Sequence, residues 1–233
     1  MKNNKTFLAI IPARGGSKRL PRKNILELNG EPLISYSIKA GLDSKYIDKV
    51  IVSSDDKEIL DVSKKNKVDT IIRPDSLASD IASTFDAIEH AILNSDNYDY
   101  IVLLQPTSPL RTATQIDEAI ELLDQKNADA VVSVCEMEHS PLWANTLDIT
   151  LSMEGFLKDE VINKRSQDLE TYFRLNGAIY ICKSKRLLKE KKFLFKNNIF
   201  AYKMNTESSI DIDKKIDFEM ATFFMKARNN EKV

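Results

Sequence analysis

Short apolar runs separated by segments of helical period organise most of the chain. The runs are FLAII (7–11), KVIVSS (49–54), VDTII (68–72), YIVLLQ (100–105) and DAVVSV (129–134). Runs this short, predominantly apolar and rich in β-branched residues, fit parallel strands buried on both faces. Between them, TQIDEAIELLDQ (114–125) sets Ile116, Ala119, Ile120 and Leu123 on one helical stripe, and Thr114 with Asp117 has capping-box spacing. STFDAIEHAILN (83–94) does the same with Phe85, Ile88 and Ile92, while PLISYSIKAGL (32–42) and DDKEILDVSKKN (55–66) supply two further helices. Strand and helix alternating in this way predict βαβ units: a Rossmann-like α/β fold with a mostly parallel sheet flanked by helices.

The rhythm stops near residue 135. Residues 136–175 show no sustained period and carry the only tryptophan, which marks them as an insertion: a lid, a dimerisation arm, or both. It returns with strands at NGAIYICKS (176–184) and IFAYKMN (199–205), separated by the basic stretch KSKRLLKEKK (183–192), and ends in the helix DKKIDFEMATFFMKA (213–227). With no internal repeat or low-complexity linker, residues 1–233 read as one domain carrying an insertion.

The totals exclude several classes. Lysine and arginine number 34 against 35 aspartate and glutamate, a net charge of −1, so no global field favours nucleic acid or an anionic membrane. The opening MKNNKTFLAIIPA resembles a leader only superficially, because its apolar run ends at Pro12 and gives way to cations. No window approaches the roughly 18 apolar residues of a membrane span. Cys135 and Cys182 sit in apolar surroundings without a Cys-x-x-Cys or a nearby histidine, and read as ordinary buried thiols. A cytoplasmic setting is the expectation.

One loop stands out against that neutral background. IIPARGGSKRLPRKN (10–24) places two of the six glycines side by side behind the first strand and follows them with a cluster of cations. In a doubly wound sheet the turn after strand one is the usual phosphate site. Gly15 and Gly16 would let the backbone approach a phosphate, and Arg14, Lys18 and Lys23 would neutralise it. The order Gly-Gly-Ser-Lys is not a Walker loop, and no G-x-G-x-x-G is present, so a P-loop ATPase is excluded. A plain solvated turn would also be basic, but crowding like charges costs energy unless an anion offsets it. A second feature is Asp211-Ile212-Asp213: in an extended segment residues i and i+2 share a face, so both carboxylates would meet one Mg²⁺ while Ile212 packs behind them. Alternatively, Asp213 N-caps the final helix.

The loop closely resembles the N-terminal signature of the CMP-N-acylneuraminate synthetases, the cytidylyltransferases that activate nine-carbon 2-keto sugar acids. RPDSLASDIAST (73–84), LLQPTSPLR (103–111), EHSP (138–141), RLNGAIYI (174–181) and SSIDIDKKIDFE (208–219) resemble that family's other blocks, in its order. The resemblance implies CTP and a 2-keto sugar acid as substrates, Mg²⁺ as cofactor and a homodimer. It implies that Arg14, Gly15, Ser17, Lys18 and Lys23 hold the triphosphate, that Asn24 and Arg73 read the cytosine edge, and that Asp80, Ala82 and Ser83 complete the base and ribose pocket. It makes Arg14, Lys18, Lys23 and Asp211 the catalytic set and Asp211 with Asp213 the metal pair. Gln105, Arg165, Arg174, Tyr180 and Phe193 would bind the sugar acid, through its hydroxyls, carboxylate and acyl group, with Arg174 alternatively organising the metal carboxylates. Arg19 and Arg22 have no role in this scheme and are expected to be the solvated part of the cluster.

Trp143 follows EHSPL where members acting on N-acetylneuraminate often carry lysine, which points toward legionaminic or pseudaminic acid with their more apolar substituents. Two rivals remain: a cytidylyltransferase for the eight-carbon acid KDO, whose signature shares SKRLP, and a non-catalytic nucleotide or RNA binder. Against the latter, aromatic residues do not interleave with the cations.

Overall fold

The structure, a computed structural model, describes residues 2–79 and 82–230. In chain order its elements are β1 (Phe7–Pro12), the short hairpin β2 (Glu27–Leu28) and β3 (Glu31–Pro32), α1 (Leu33–Leu42), β4 (Lys49–Ser54), α2 (Lys57–Lys65), β5 (Asp69–Ile72), α3 (Thr84–Leu93) and β6 (Tyr100–Leu103). There follow α4 (Ala113–Gln125), β7 (Ala130–Glu136), β8 (Phe173–Lys183), α5 (Ser184–Glu190), β9 (Ile199–Met204) and α6 (Lys215–Asn230).

Seven strands form one sheet in the order β5-β4-β1-β6-β8-β7-β9. All pairings are parallel except those of β8, which runs antiparallel between β6 and β7. Strand β1 shows why its sequence is apolar throughout. Phe7, Ala9 and Ile11 face the layer that holds α1, α2 and α4, while Leu8 and Ile10 face α3 and α5. A third cluster of Leu28, Leu33, Leu110, Ile212, Ala221 and Met225 seats the hairpin and α6 beside the carboxyl ends of the strands. Because β4 and β6 flank β1 on opposite sides, the connections diverge there, and such a switch point leaves a crevice at the strand ends.

Several boundaries differ from the expectation. Helix α4 is capped by Thr112, whose hydroxyl accepts from the Gln115 amide at 3.2 Å while Gln115 Oε1 accepts from the Thr112 amide at 3.0 Å. Thr114 already lies inside the helix. Asp117, its supposed partner, is 5% exposed and accepts from Ser44 Oγ at 2.6 Å and the Lys45 amide at 3.0 Å, which ties α4 to the end of α1. The basic stretch 183–192 is mostly helix: Leu187 is buried while Arg186 pairs with Asp129 and Glu190. Strand β5 lies at the sheet edge and leaves Ile72 75% exposed, so burial on both faces fails there. Strand β8 takes in residues 173–175, and the segment between β7 and β8, 137–172, carries no strand or α-helix but a series of turns, with short helical ones at Pro141–Trp143 and Ser166–Asp168.

The cap assignment is testable by thermal melting. Thr112→Ala should cost about 1 kcal/mol, whereas Thr114→Ala should stay within about 0.5 kcal/mol of the parent.

Candidate functional site

The chain leaves β1 at Pro12 and wraps the strand ends before entering α1, and beneath this wrap lies a cleft of about 540 Å³. Arg14, Ser17, Lys18, Lys23 and Asn24 from this wrap line it together with Arg73, Ala82, Ser83, Gln105 and Asp213. Most of the nucleotide residues expected from sequence thus converge on one space. Asp80 lies outside the described residues.

Hydrogen bonds fix the lining. Asn24, 6% exposed, donates from Nδ2 to the Arg14 carbonyl at 3.0 Å and so staples the loop across ten residues. Arg73 follows directly on β5 and is buried. It is 5% exposed and donates to the Ser53 carbonyl at 2.6 Å and to Ser53 Oγ at 3.2 Å. Burial pushes its pKa down from the usual arginine value, Asp55 opposes that, and neighbouring Arg14 adds to it. Ser83 caps α3 reciprocally with Asp86, and so the amino end of that helix opens on the cleft, with Thr84 and Ala87 also in the lining.

The glycines act differently from the expectation. The Gly15 amide donates to Asp55 Oδ1 at 3.2 Å, and a Cβ there would lie 2.6 Å from Asp56 Oδ2. Gly15 is therefore required by the close approach of the loop to the cap of α2, and its N–H is already engaged. Gly16 has open space around it. The outer cations are paired rather than merely solvated. Arg22, at a left-handed φ of 59°, bridges Asp56 at 2.5 Å and Glu58 at 2.7 Å, and Arg19 reaches Asp213 at 2.5 Å.

The acidic pair adjoins the cleft, with Asp213 in its lining and Asp211 outside it. Ile212 is fully buried in the third cluster, with its amide on the Thr107 carbonyl at 2.8 Å, so the two aspartates emerge on either side of an anchored residue. Asp213 is not the cap of α6. Asp217 accepts from the Asp213 and Lys214 amides at 2.9 and 2.7 Å, which leaves the Asp213 carboxylate to Lys23 and Arg19. Asp211 remains open to water but lies in a protein-walled recess. Burial pushes its pKa up, Asp213 and Asp217 push the same way, and Thr107 and Lys23 oppose them. Among the described residues no cluster of three or more His, Cys, Asp or Glu is arranged to hold a metal. The pair offers only oxygen donors, in a recess whose surplus negative charge a hard cation would relieve, which fits Mg²⁺.

The expected sugar-acid residues divide into two groups. Tyr180 and Phe193 meet edge-to-face at 5.7 Å, and the Tyr180 hydroxyl is pushed up by burial and by Asp211, so this aromatic pair adjoins the acidic recess. Gln105 projects into the cleft. Arg165 does not join them: it lies on an exposed turn of the insertion and pairs with Asp168 at 3.0 Å. Arg174 pairs with Glu138 at 3.5 Å, and Trp143 is likewise outside the cleft lining. Sequence reasoning missed Thr107, which holds both Asp211 and the Ile212 amide, although it lies inside LLQPTSPLR. It also missed Asp55 and Asp56, whose adjacency after β4 was the available signal.

A family model described as cytidylyltransferase matches residues 8–231. The chain belongs to the cytidylyltransferase family. It is 37% identical to an N-acylneuraminate cytidylyltransferase of Escherichia coli O18:K1:H7 over 97% of its own length, and it spans 54% of that relative. The chain thus covers about half the length of such curated relatives. It is 36% identical to a pseudaminic acid cytidylyltransferase of Campylobacter jejuni, with 98% of each chain covered. A CMP-N,N'-diacetyllegionaminic acid synthase of Legionella pneumophila is 34% identical, with 94% of this chain and 96% of that one covered. In fold it matches a CMP:2-keto-3-deoxy-manno-octonic acid synthetase complexed with CTP, at a TM-score of 0.74 and 16% identity, covering 96% of this chain and 99% of the other. The non-catalytic binder is not favoured by these relatives. Among the described residues no helix is long and apolar enough to cross a membrane.

The raised pKa of Asp211 has a thermodynamic consequence. Its folded value lies above the unfolded one, so the ionised carboxylate costs stability at neutral pH and costs none below the ordinary aspartate range. Without divalent cations, Asp211→Asn should raise the melting midpoint by about 1–2 °C at neutral pH. The gain should vanish near pH 3, and an unchanged or lower midpoint at neutral pH would contradict the assignment.

Proposed function

We propose that this cytidylyltransferase joins CTP to a nine-carbon 2-keto sugar acid, giving the CMP-sugar and pyrophosphate. The observation that carries the reading is the convergence of Arg14, Lys18, Lys23, Asn24, Arg73 and Asp213 on a single cleft. In-line attack of the anomeric hydroxyl on the α-phosphorus spreads charge over the phosphoryl oxygens. Positioning and cations therefore supply most of the catalysis.

In this scheme Arg14, Ser17 and Lys23 hold the triphosphate, Lys18 meets the departing pyrophosphate, and Asn24 and Arg73 meet the cytosine edge. Asp211 and Asp213 would hold Mg²⁺, a hard cation that takes oxygen ligands. When bound, the ion would polarise the α-phosphate. Lys23 and Arg19, which now share Asp213, would then turn toward the triphosphate. Gln105, Tyr180 and Phe193 form the sugar-acid side, and a nine-carbon acid such as legionaminate or pseudaminate is preferred over KDO on the likeness to the pseudaminic and legionaminic acid relatives, both matched over nearly their full length. The insertion exposes Leu147, Ile149, Leu151 and Met153 at 52–99%, a run of apolar side chains that supports its role as a homodimerisation arm. The reaction is assigned to the cytoplasm.

The test is CTP-dependent pyrophosphate release with Mg²⁺ and N-acetylneuraminate, legionaminate, pseudaminate or KDO in parallel. Release is expected with at least one nine-carbon acid, and none with any of them would overturn the reading. Asp211→Ala should lower turnover about 100-fold or more while the Kd for CTP stays within about threefold. Arg14→Ala and Lys18→Ala should instead weaken CTP binding by roughly tenfold, seen by calorimetric titration.

A further inference from the structure

LLQPTSPLR ends in a residue that neither the nucleotide nor the metal scheme uses. Arg111 is 3% exposed, and burial pushes its pKa down to about 9, which leaves it charged at neutral pH. Among the described residues no carboxylate pairs with it. The guanidinium donates from Nη1 to the Ala178 carbonyl at 2.8 Å and the Gln105 carbonyl at 3.3 Å, and from Nη2 to Ser37 Oγ at 2.6 Å; Nε finds no partner. An unpaired buried cation is costly, and an apolar side chain of similar volume would fill the space at lower cost. Stability does not account for Arg111. Its geometry does.

Both carbonyl acceptors belong to the site's floor. Gln105 ends the β6 segment. Ala178 lies in a bulge of β8: between the pairs Val132–Tyr180 and Val134–Leu175, β7 advances two residues while β8 advances five. The bulge carries Gly177 at a φ of 75°, and a Cβ there would lie 3.4 Å from Gln105 Oε1 and 3.8 Å from Asp211 Oδ2. Arg111 therefore ties together the two backbone segments that set Gln105 and Gly177 beside Asp211. Ser37 completes the clamp by donating to the Gln105 carbonyl at 3.1 Å. Lysine has the charge but not the planar fork that reaches three acceptors at once.

We propose that Arg111 is a positioning residue for the acceptor side of the reaction: by clamping the Gln105 and Ala178 carbonyls it fixes the Gln105 amide and Gly177 against Asp211, where the sugar acid binds. This rests on the cytidylyl-transfer reading above. The clamp acts on the sugar acid and not on the nucleotide, since none of its three partners is in the triphosphate loop.

The test is the kinetics of Arg111→Met and Arg111→Lys with the sugar acid that the parent uses, together with CTP titration and melting. Both variants are expected to lose about tenfold or more in kcat/KM for the acid while the Kd for CTP stays within about twofold. Arg111→Met should lose this without a lower melting midpoint, a separation that a merely structural arginine would not produce. Equal losses for acid and CTP, or an acid kcat/KM within about threefold of the parent, would overturn the proposal. If the Arg111 variants do not fold, Ser37→Ala should show the same split at about threefold, and no split would overturn it. If the parent releases no pyrophosphate with any acid, the cytidylyl-transfer reading fails first. The clamp is then read by hydrogen exchange at 105–108 and 176–179, which should quicken in Arg111→Met with an unchanged midpoint; unchanged exchange would overturn it.

Discussion

The bulged, antiparallel β8 is the constraint on which the rest of the site depends. A purely parallel sheet would deliver every strand end to the same rim, each followed by its own loop. Inserting β8 between β6 and β7 brings the chain back through that rim in the opposite direction, and its bulge sets a glycine backbone against the Gln105 amide. Ser133 and Asn176 hold the bulge. Asn176 Oδ1 accepts from Ser133 Oγ at 2.6 Å, its Nδ2 donates to Ser209 Oγ at 2.9 Å, and the Ile179 amide donates to Ser133 Oγ at 2.8 Å. Such a network is stable in a core because its donors find acceptors. Ser209 leads directly into the segment that carries Asp211 and Asp213, so the bulge and the acidic recess are fixed by one set of bonds.

Cations of the first loop meet the acidic segment directly: Lys23, with its side chain 12% exposed, donates to the Ile212 carbonyl at 2.5 Å and lies 3.2 Å from Asp213. Asp56 and Glu58 offset the outer part of the basic cluster through Arg22. The concentration of like charge is thus partly balanced by the protein itself, which lowers the cost of crowding it into one loop.

Much of the fold was legible because its information is local. The apolar runs announced buried parallel strands, which holds at β1 but not at the edge strand β5, and the 3.6-residue stripe announced α4. Direction and pairing were not legible: nothing in NGAIYICKS says that it runs antiparallel, since antiparallel strands buried on both faces look the same. The cap of α4 was misread because threonines at 112 and 114 both precede acceptable partners, and the choice is made by Asp117, which is drawn inward by Ser44 across the fold. The site residues emerged through a resemblance of ordered blocks, whereas Asp55 on the Gly15 amide, Thr107 on Asp211 and the Ile212 amide, and Arg111 on the Gln105 and Ala178 carbonyls act through contacts across the fold that no local pattern announces. Gly15 illustrates the difference: its type was noticed, but the reason for it is a carboxylate contributed by α2.

The central claim is that the cleft binds CTP with its triphosphate against Arg14–Lys23 and its base at Asn24 and Arg73. A crystal structure of the chain with CTP and Mg²⁺ tests it most directly. The account predicts phosphate oxygens within hydrogen-bond distance of Arg14 and Lys23, the cytosine edge within reach of Asn24 and Arg73, and Asp213 released from Arg19. A nucleotide bound elsewhere, or one whose base contacts neither Asn24 nor Arg73, would contradict it.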